Sequence, residues 1–239
     1  MGQDELQSRL ERIRERIALA AQRVGQDPQD VTLLAAAKTV APERILMAIQ
    51  LGVRHVGENR VQEAESKLKS FESLRDAATW HLIGHLQTNK ARRALQLFDV
   101  IQSVDTIRLA GQLERVAAEM NRLVSVYIEV NVGTEQSKSG ALPDQLMALA
   151  EAISKHSHLR LEGLMAVPPY LENPQAVRPY FRRLRELRQM INDQHLFDYE
   201  IRGLSMGMSH DFEVAIEEGA TLIRLGTAIW GSRAGLQGV

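Results

Sequence analysis

Eight short apolar runs alternate with helical patterns along most of the chain, and this alternation limits the possible folds more than anything else in the sequence. The runs are 31–37, 53–57, 79–83, 99–102, 124–131, 159–166, 199–204 and 221–225. The first, Val31-Thr32-Leu33-Leu34-Ala35-Ala36-Ala37, is almost unbroken. A strand with one wet face alternates apolar and polar residues. A strand covered on both faces, as in a parallel sheet, does not.

Helical patterns fill the gaps. Leu6, Leu10, Ile13, Ile17, Ala20 and Val24 recur at three- and four-residue steps in a leading helix that Gly25 ends. Pro42 opens a helix stopped by Gly52, and another follows Asn59. Asp105 is expected to cap 106–121, Pro143 to open the next helix, and Asn173-Pro174 to begin 175–192. Ser209 is expected to cap a helix closed by Gly219. This order predicts an α/β protein: a single (β/α)8 TIM barrel with an extra N-terminal helix, one domain over residues 1–239. An open doubly wound sheet would carry a glycine-rich phosphate fingerprint after its first strand, and neither that nor a Walker loop is present.

Composition removes several function classes. The formal net charge of −1 gives no global field toward nucleic acid or an anionic membrane. With no cysteine there are no disulfides, thiolate zinc sites or thiol nucleophiles. No segment approaches the ~20 apolar residues of a membrane span, and no basic-plus-apolar leader opens the chain, so a cytoplasmic protein is expected.

In such barrels chemistry sits at the C-terminal strand ends, with phosphate often held after strands seven and eight. Lys38 directly follows the first run. Alone, it reads as a strand end snorkelling to water. A desolvated lysine, however, loses its proton readily and attacks carbonyls. The seventh run leads into Ser205-Met206-Gly207-Met208-Ser209, and the eighth passes through Arg224 into Gly226-Thr227. Both ends bring glycine, hydroxyls and backbone N–H groups suited to a phosphate. Alternation puts Lys38 on the face of Leu34 and Ala36, and Arg224 on the face of Leu222 and Gly226. Barrel closure makes strands one and eight neighbours, so the two cations converge at one mouth. Asn59 ends strand two. Singly, Asn59 could be a helix cap, Arg224 a partner of Glu58 and Gly226 a turn; together they sit on four contiguous strands.

A carbonyl-reactive lysine beside a phosphate grip fits an aldehyde phosphate such as pyridoxal 5′-phosphate (PLP). Lys38 would form the covalent imine, and Ser205, Gly226 and Thr227 would hold the phosphate. Met206 and Met208 would pad that loop, and Asn59 would meet the ring hydroxyl or its surroundings. Arg224, a permanent cation facing the pyridine nitrogen, would disfavour its protonation and weaken the ring as an electron sink.

At these residues the sequence resembles the pyridoxal-phosphate homeostasis proteins, the YggS-like or PROSC family. The matching stretches are Ala36-Ala37-Lys38-Thr39, Gly57-Glu58-Asn59, Trp80-His81-Leu82-Ile83-Gly84-His85-Leu86-Gln87-Thr88-Asn89-Lys90 and Ser103-Val104-Asp105. Asn131-Val132-Gly133, Ser137-Lys138-Ser139-Gly140 and Gly163-Leu164-Met165 also match. The most specific are Leu204-Ser205-Met206-Gly207-Met208-Ser209-His210-Asp211 and Arg224-Leu225-Gly226-Thr227-Ala228-Ile229-Trp230-Gly231. The chain departs at Arg60, where an aromatic is more usual, and at Trp230, where Phe is commoner. The resemblance implies a monomer-sized barrel like the N-terminal domain of alanine racemase, a Schiff base at Lys38, and a role in PLP buffering and delivery to PLP-dependent apoenzymes without robust turnover.

A PLP-dependent amino-acid racemase is the competing reading. It needs two bases on opposite faces of a carbon, and racemases of this type draw the second, a tyrosine, from a further β domain for which a chain ending at Val239 leaves no room. Of the tyrosines, Tyr127, Tyr180 and Tyr199 are placed in packing or surface positions, and Tyr170 falls at the mouth end. A class I aldolase would be colourless as isolated. His81 and His85 are four apart, but on a strand and turn, where that spacing does not align metal ligands. Arg178, Arg182 and Arg185, joined by Arg183 and Arg188, read as a solvated helix face rather than a nucleic-acid surface.

Overall fold

A computed structural model describes residues 2–70, 73–135 and 139–231. The chain begins with helix α1 (Gln3–Arg23) and enters strand β1 (Thr32–Ala36), then α2 (Pro42–Gln50) and β2 (His55–Glu58). It continues through α3 (Val61–Ser70), α4 (Ser73–Ala77), β3 (Thr79–Leu82), α5 (Ala91–Leu97) and β4 (Val100–Val104). Next come α6 (Ile107–Glu119), β5 (Val124–Glu129), α7 (Leu146–Ser154) and β6 (Leu159–Met165). Last are α8 (Arg178–Asp193), β7 (Gly203–Ser205), α9 (Phe212–Glu217), β8 (Leu222–Leu225) and α10 (Thr227–Trp230). All eight strands are parallel and close into a barrel, β8 pairing with β1. The expected (β/α)8 architecture with a leading helix is the observed one.

The core lies between barrel and helices, where Trp80, Phe98, Phe181 and Phe212 are fully buried in one continuous apolar cluster. Each such side chain contributes about 1.5–3 kcal/mol of burial. Helix α1 buries Leu6, Leu10, Ile13, Ile17 and Ala20. Val24 is instead its half-exposed cap residue, and Gly25 turns the chain at φ 68°.

Several boundaries differ from expectation for local reasons. The seventh strand is only Gly203–Ser205, because the Asn192 side chain occupies both the Ile201 N–H and C=O, at 2.9 and 3.0 Å, in place of a neighbouring strand. β2 starts at His55, since the Val53 N–H is used by Ala48 O at the end of α2. The cap of α6 is Thr106, whose Oγ1 accepts from Leu109 N at 3.2 Å, rather than Asp105. Pro143 lies in a turn ahead of α7. Asp211, not Ser209, stands at the N-cap of α9. The basic stripe on α8 is not simply solvated. Arg178 binds Glu217 and Glu218 at 2.5 and 3.0 Å, and Arg182 and Arg185 reach Glu218, so the stripe fastens α8 to the end of α9.

Candidate functional site

Strand register brings the predicted residues to one end of the barrel. Leu34 pairs with Arg224 and Ala36 with Gly57, so Lys38 and Asn59 each lie two residues beyond a paired position on adjacent strands. Gly226 sits beside Ala36: a Cβ built on it would come no closer than 3.8 Å to Ala36 O. Lys38 and Asn59 are half-buried, and Thr227 is exposed at the rim.

The backbone presenting Lys38 is fastened from three sides. Ala37 N donates to Gly57 O at 2.8 Å, and Val40 N closes back onto Ala37 O at 2.9 Å. Trp230 Nε1 from α10 holds Ala36 O at 2.9 Å, and Lys67 Nζ from α3 holds Ala37 O at 2.7 Å. Thr39 is thereby kept in the left-handed region at φ 63°, a cost that a branched residue bears only where its surroundings over-determine it. Lys67 is itself buried and salt-bridged to the fully buried Glu58. Burial raises the Glu58 carboxyl, and the Lys67 ammonium works against that rise.

Asn59 is positioned by backbone contact. A side chain at Gly84 would collide with Asn59 O, so glycine alone allows the β3 loop to lie against the end of β2.

Arg224 lies 95% out of water inside the barrel. Its Nη1 donates to Ser205 O and Ser205 Oγ, both at 2.6 Å, and its Nη2 donates to Ala166 O at 2.8 Å. Of five guanidinium N–H groups, this leaves Nε–H and one Nη2–H without an acceptor among the described residues. No carboxylate among the described residues is hydrogen-bonded to it. Burial lowers its pKa to about 10, with Glu129 and Asp211 opposing the fall through their charge, so Arg224 remains cationic at neutral pH.

Ser205 is fully buried, and its hydroxyl is spent on Gln102 Oε1 at 2.6 Å and on Arg224. It is therefore an anchor for Arg224, set below the rim where Gly226 and Thr227 lie. Met206 is likewise fully buried, its N–H bonded to Leu222 O at 3.0 Å. The hydroxyl that faces the rim is Ser209, which accepts from Gly226 N at 3.2 Å and Ala228 N at 3.1 Å. The loop carrying it turns at Gly207, φ 93°, where a Cβ would lie 2.6 Å from that of Ala215.

Across the mouth, Glu129 ends β5 with Oε2 buried and without a hydrogen-bond partner among the described residues. Burial pushes its carboxyl up to about 7, the charge of Asp105 adding to the rise and that of Arg224 opposing it. Asp105 lies 3.3 Å from His85. Sequence reasoning missed Lys67, Gln102 and Glu129. The last carried a signal, a charged residue inside an apolar run; the other two became visible only with their partners.

Three tyrosines sit away from any reacting position. Tyr127 is packed beside Gly203 inside the barrel, its phenol pushed up to about 12 by burial. Tyr199 O–H accepts from Leu161 N at 3.1 Å, and Tyr180 lies on α8. Tyr170 is 72% exposed and stacked on His210, ring centroids 5.1 Å apart. Ser137 and Lys138 of the matching motif lie outside the described residues.

The family model for the alanine racemase N-terminal domain matches residues 8–234. A pyridoxal phosphate homeostasis protein of Aquifex aeolicus is 47% identical over 226 residues, covering 94% of this chain and 97% of that one. The chain belongs to the pyridoxal phosphate homeostasis protein family. Among solved family structures, PipY of Synechococcus elongatus with PLP bound superposes at TM-score 0.79 with 37% identity, over 92% of this chain and all of PipY. An alanine racemase of Clostridium difficile shares the fold, TM-score 0.74 at 12% identity, over 98% of this chain and 58% of its own. No helix among the described residues is long and apolar enough to cross a membrane.

Proposed function

We propose that this chain binds PLP at the barrel mouth as a Schiff base on Lys38 and serves PLP homeostasis, holding the cofactor for PLP-dependent apoenzymes rather than turning over a substrate. The residues present fit the group. A Cβ at Gly226 would meet Ala36 only at 3.8 Å, an uncrowded contact, so a phosphate can approach its backbone closely. Ser209 already gathers the Gly226 and Ala228 N–H groups toward one point, with the Thr227 hydroxyl beside them. When bound, PLP supplies an aldehyde and an electron-withdrawing ring. Lys38 gives the amine that condenses with the aldehyde, releasing one water.

Arg224 carries the reading. A buried cation with two N–H groups unused and no carboxylate hydrogen-bonded to it among the described residues is suited to a neutral acceptor, and a pyridine nitrogen is one. Facing it, Arg224 keeps that nitrogen unprotonated and the ring a weak electron sink. Asn59 borders the ring, and Met206 backs the phosphate loop from the core. A racemase would need a second base at the mouth, and the tyrosine placed nearest, Tyr170, is largely solvated. The reading takes residues 1–239 as one PLP-binding domain, working in the cytoplasm as a monomer without nucleic acid or membrane.

The purified protein should show an imine absorption band that borohydride bleaches, and Lys38→Ala should lose it. An unchanged band in Lys38→Ala would remove the covalent assignment. A colourless protein that takes up no PLP would leave the aldolase alternative standing.

A further inference from the structure

Five polar side chains inside the barrel form one continuous hydrogen-bonded chain that begins at Arg224 and ends at the opposite opening. Arg224 Nη1 meets Ser205 Oγ at 2.6 Å, and Ser205 Oγ donates to Gln102 Oε1 at 2.6 Å. Gln102 Nε2 meets His81 Nδ1 at 2.9 Å, and His81 Nε2 meets His55 Nδ1 at 3.0 Å. The five residues come from β8, β7, β4, β3 and β2. Ser205 and Gln102 are fully buried, and His81 is 3% exposed. His55 is half-buried at the start of its strand, where it lines a cavity of about 360 Å³ with Arg14, Gln29 and Arg54.

The permanent charge at one end sets the direction of every bond. A guanidinium has donors and no acceptor, so Ser205 Oγ must accept from it. The single hydroxyl proton then goes to Gln102, which turns the amide oxygen toward Ser205 and the NH2 toward His81. His81 must accept at Nδ1 and carry its proton on Nε2. His55 in turn accepts at Nδ1 and carries its proton on Nε2. Burial, with the His55 charge adding to it, lowers His81 to about 3, so an imidazolium does not interrupt the order.

An apolar filling of the same volume would avoid the desolvation cost of these side chains. Packing alone does not call for them. The two carbonyls, Ser205 O and Ala166 O, fix where the guanidinium sits, and the hydroxyl bond adds a third point that fixes its rotation.

We infer that Gln102, backed by His81 and His55, is a positioning residue for Arg224, orienting the guanidinium so that its two unused N–H groups face the mouth. This rests on the PLP reading, because the group so oriented is the one facing the pyridine nitrogen.

Two measurements test it. Histidine-labelled protein without PLP, followed by ¹⁵N NMR, should show His81 and His55 both as the Nε2–H tautomer. In Gln102→Glu, whose carboxylate only accepts, His81 should switch to Nδ1–H. A His81 already in the Nδ1–H form, or one unmoved by Gln102→Glu, overturns the chain. Separately, Gln102→Met should keep its melting temperature within a few degrees and still form a borohydride-sensitive band. That band should be displaced in wavelength, with PLP bound about tenfold more weakly. An identical band and affinity overturn the positioning role while leaving PLP binding intact. Should Gln102→Met fail to fold, the tautomers decide alone. A parent protein with no imine band and the predicted tautomers would instead remove the PLP reading and keep the chain.

Discussion

Lys67 and Arg224 are both buried cations close to β1, and they are partnered in opposite ways. Lys67, outside the barrel, is closed off by the Glu58 carboxylate and the Ala37 carbonyl. Arg224, inside it, is hydrogen-bonded among the described residues only to neutral oxygens, with Glu129 and Asp211 acting on it through charge. A cation neutralised by a bonded carboxylate has no field to spare, and what it fixes is backbone, here the turn that presents Lys38. A cation left without such a partner keeps its charge and two N–H groups for something else. Burial therefore does not distinguish the two cations in this barrel; the kind of partner does.

The largest expected effect falls on the structural cation. Lys67→Ala strands a buried Glu58 charge and should cost about 3–5 kcal/mol in denaturant unfolding. Adding Glu58→Gln should recover much of the loss. A single-variant cost below about 1 kcal/mol would mean that the pair does not hold the turn.

Next is Glu129, the carboxyl nearest in influence to Arg224. Its folded-state pKa of about 7 lies above the ordinary 4.5. The protonated form therefore favours the folded state, a contribution fully present below about pH 4.5 and lost as pH rises through about 7. Glu129→Gln should match the parent at pH 4 and exceed it by roughly 3 kcal/mol at pH 9. Equal pH profiles of unfolding would show that Glu129 is not held protonated opposite the cation.

Gly226→Ala probes the ligand side of the same mouth. Because a Cβ there meets nothing closer than 3.8 Å, stability should change by less than about 1 kcal/mol. PLP affinity should fall about tenfold, as the added methyl intrudes on the phosphate. A variant as weakened in folding as in binding would assign the glycine to the fold.

Much of the barrel could be read from the sequence because parallel strands buried on both faces leave long apolar runs, and because alternation within β1 and β8 puts Lys38 and Arg224 on the inner side. What escaped were features decided by distant partners. The Ile201 backbone is taken by the Asn192 side chain, so four residues with strand character never join the sheet. Ser205, expected from its place in a Gly-Ser-rich turn to hold a phosphate, is fully buried, with its hydroxyl bonded to Gln102 and Arg224. At the rim, the hydroxyl bonded to the Gly226 and Ala228 N–H groups is that of Ser209, expected from sequence as a helix cap. Gln102 gave no local sign, since its partners Ser205 and His81 lie 103 and 21 residues away.

The proposed attachment of PLP at Lys38 can be read directly. Protein loaded with PLP, reduced with borohydride, digested and sequenced by mass spectrometry should carry the phosphopyridoxyl group on the peptide containing Lys38, on that side chain. The group found on any other lysine, or on none, would contradict the account.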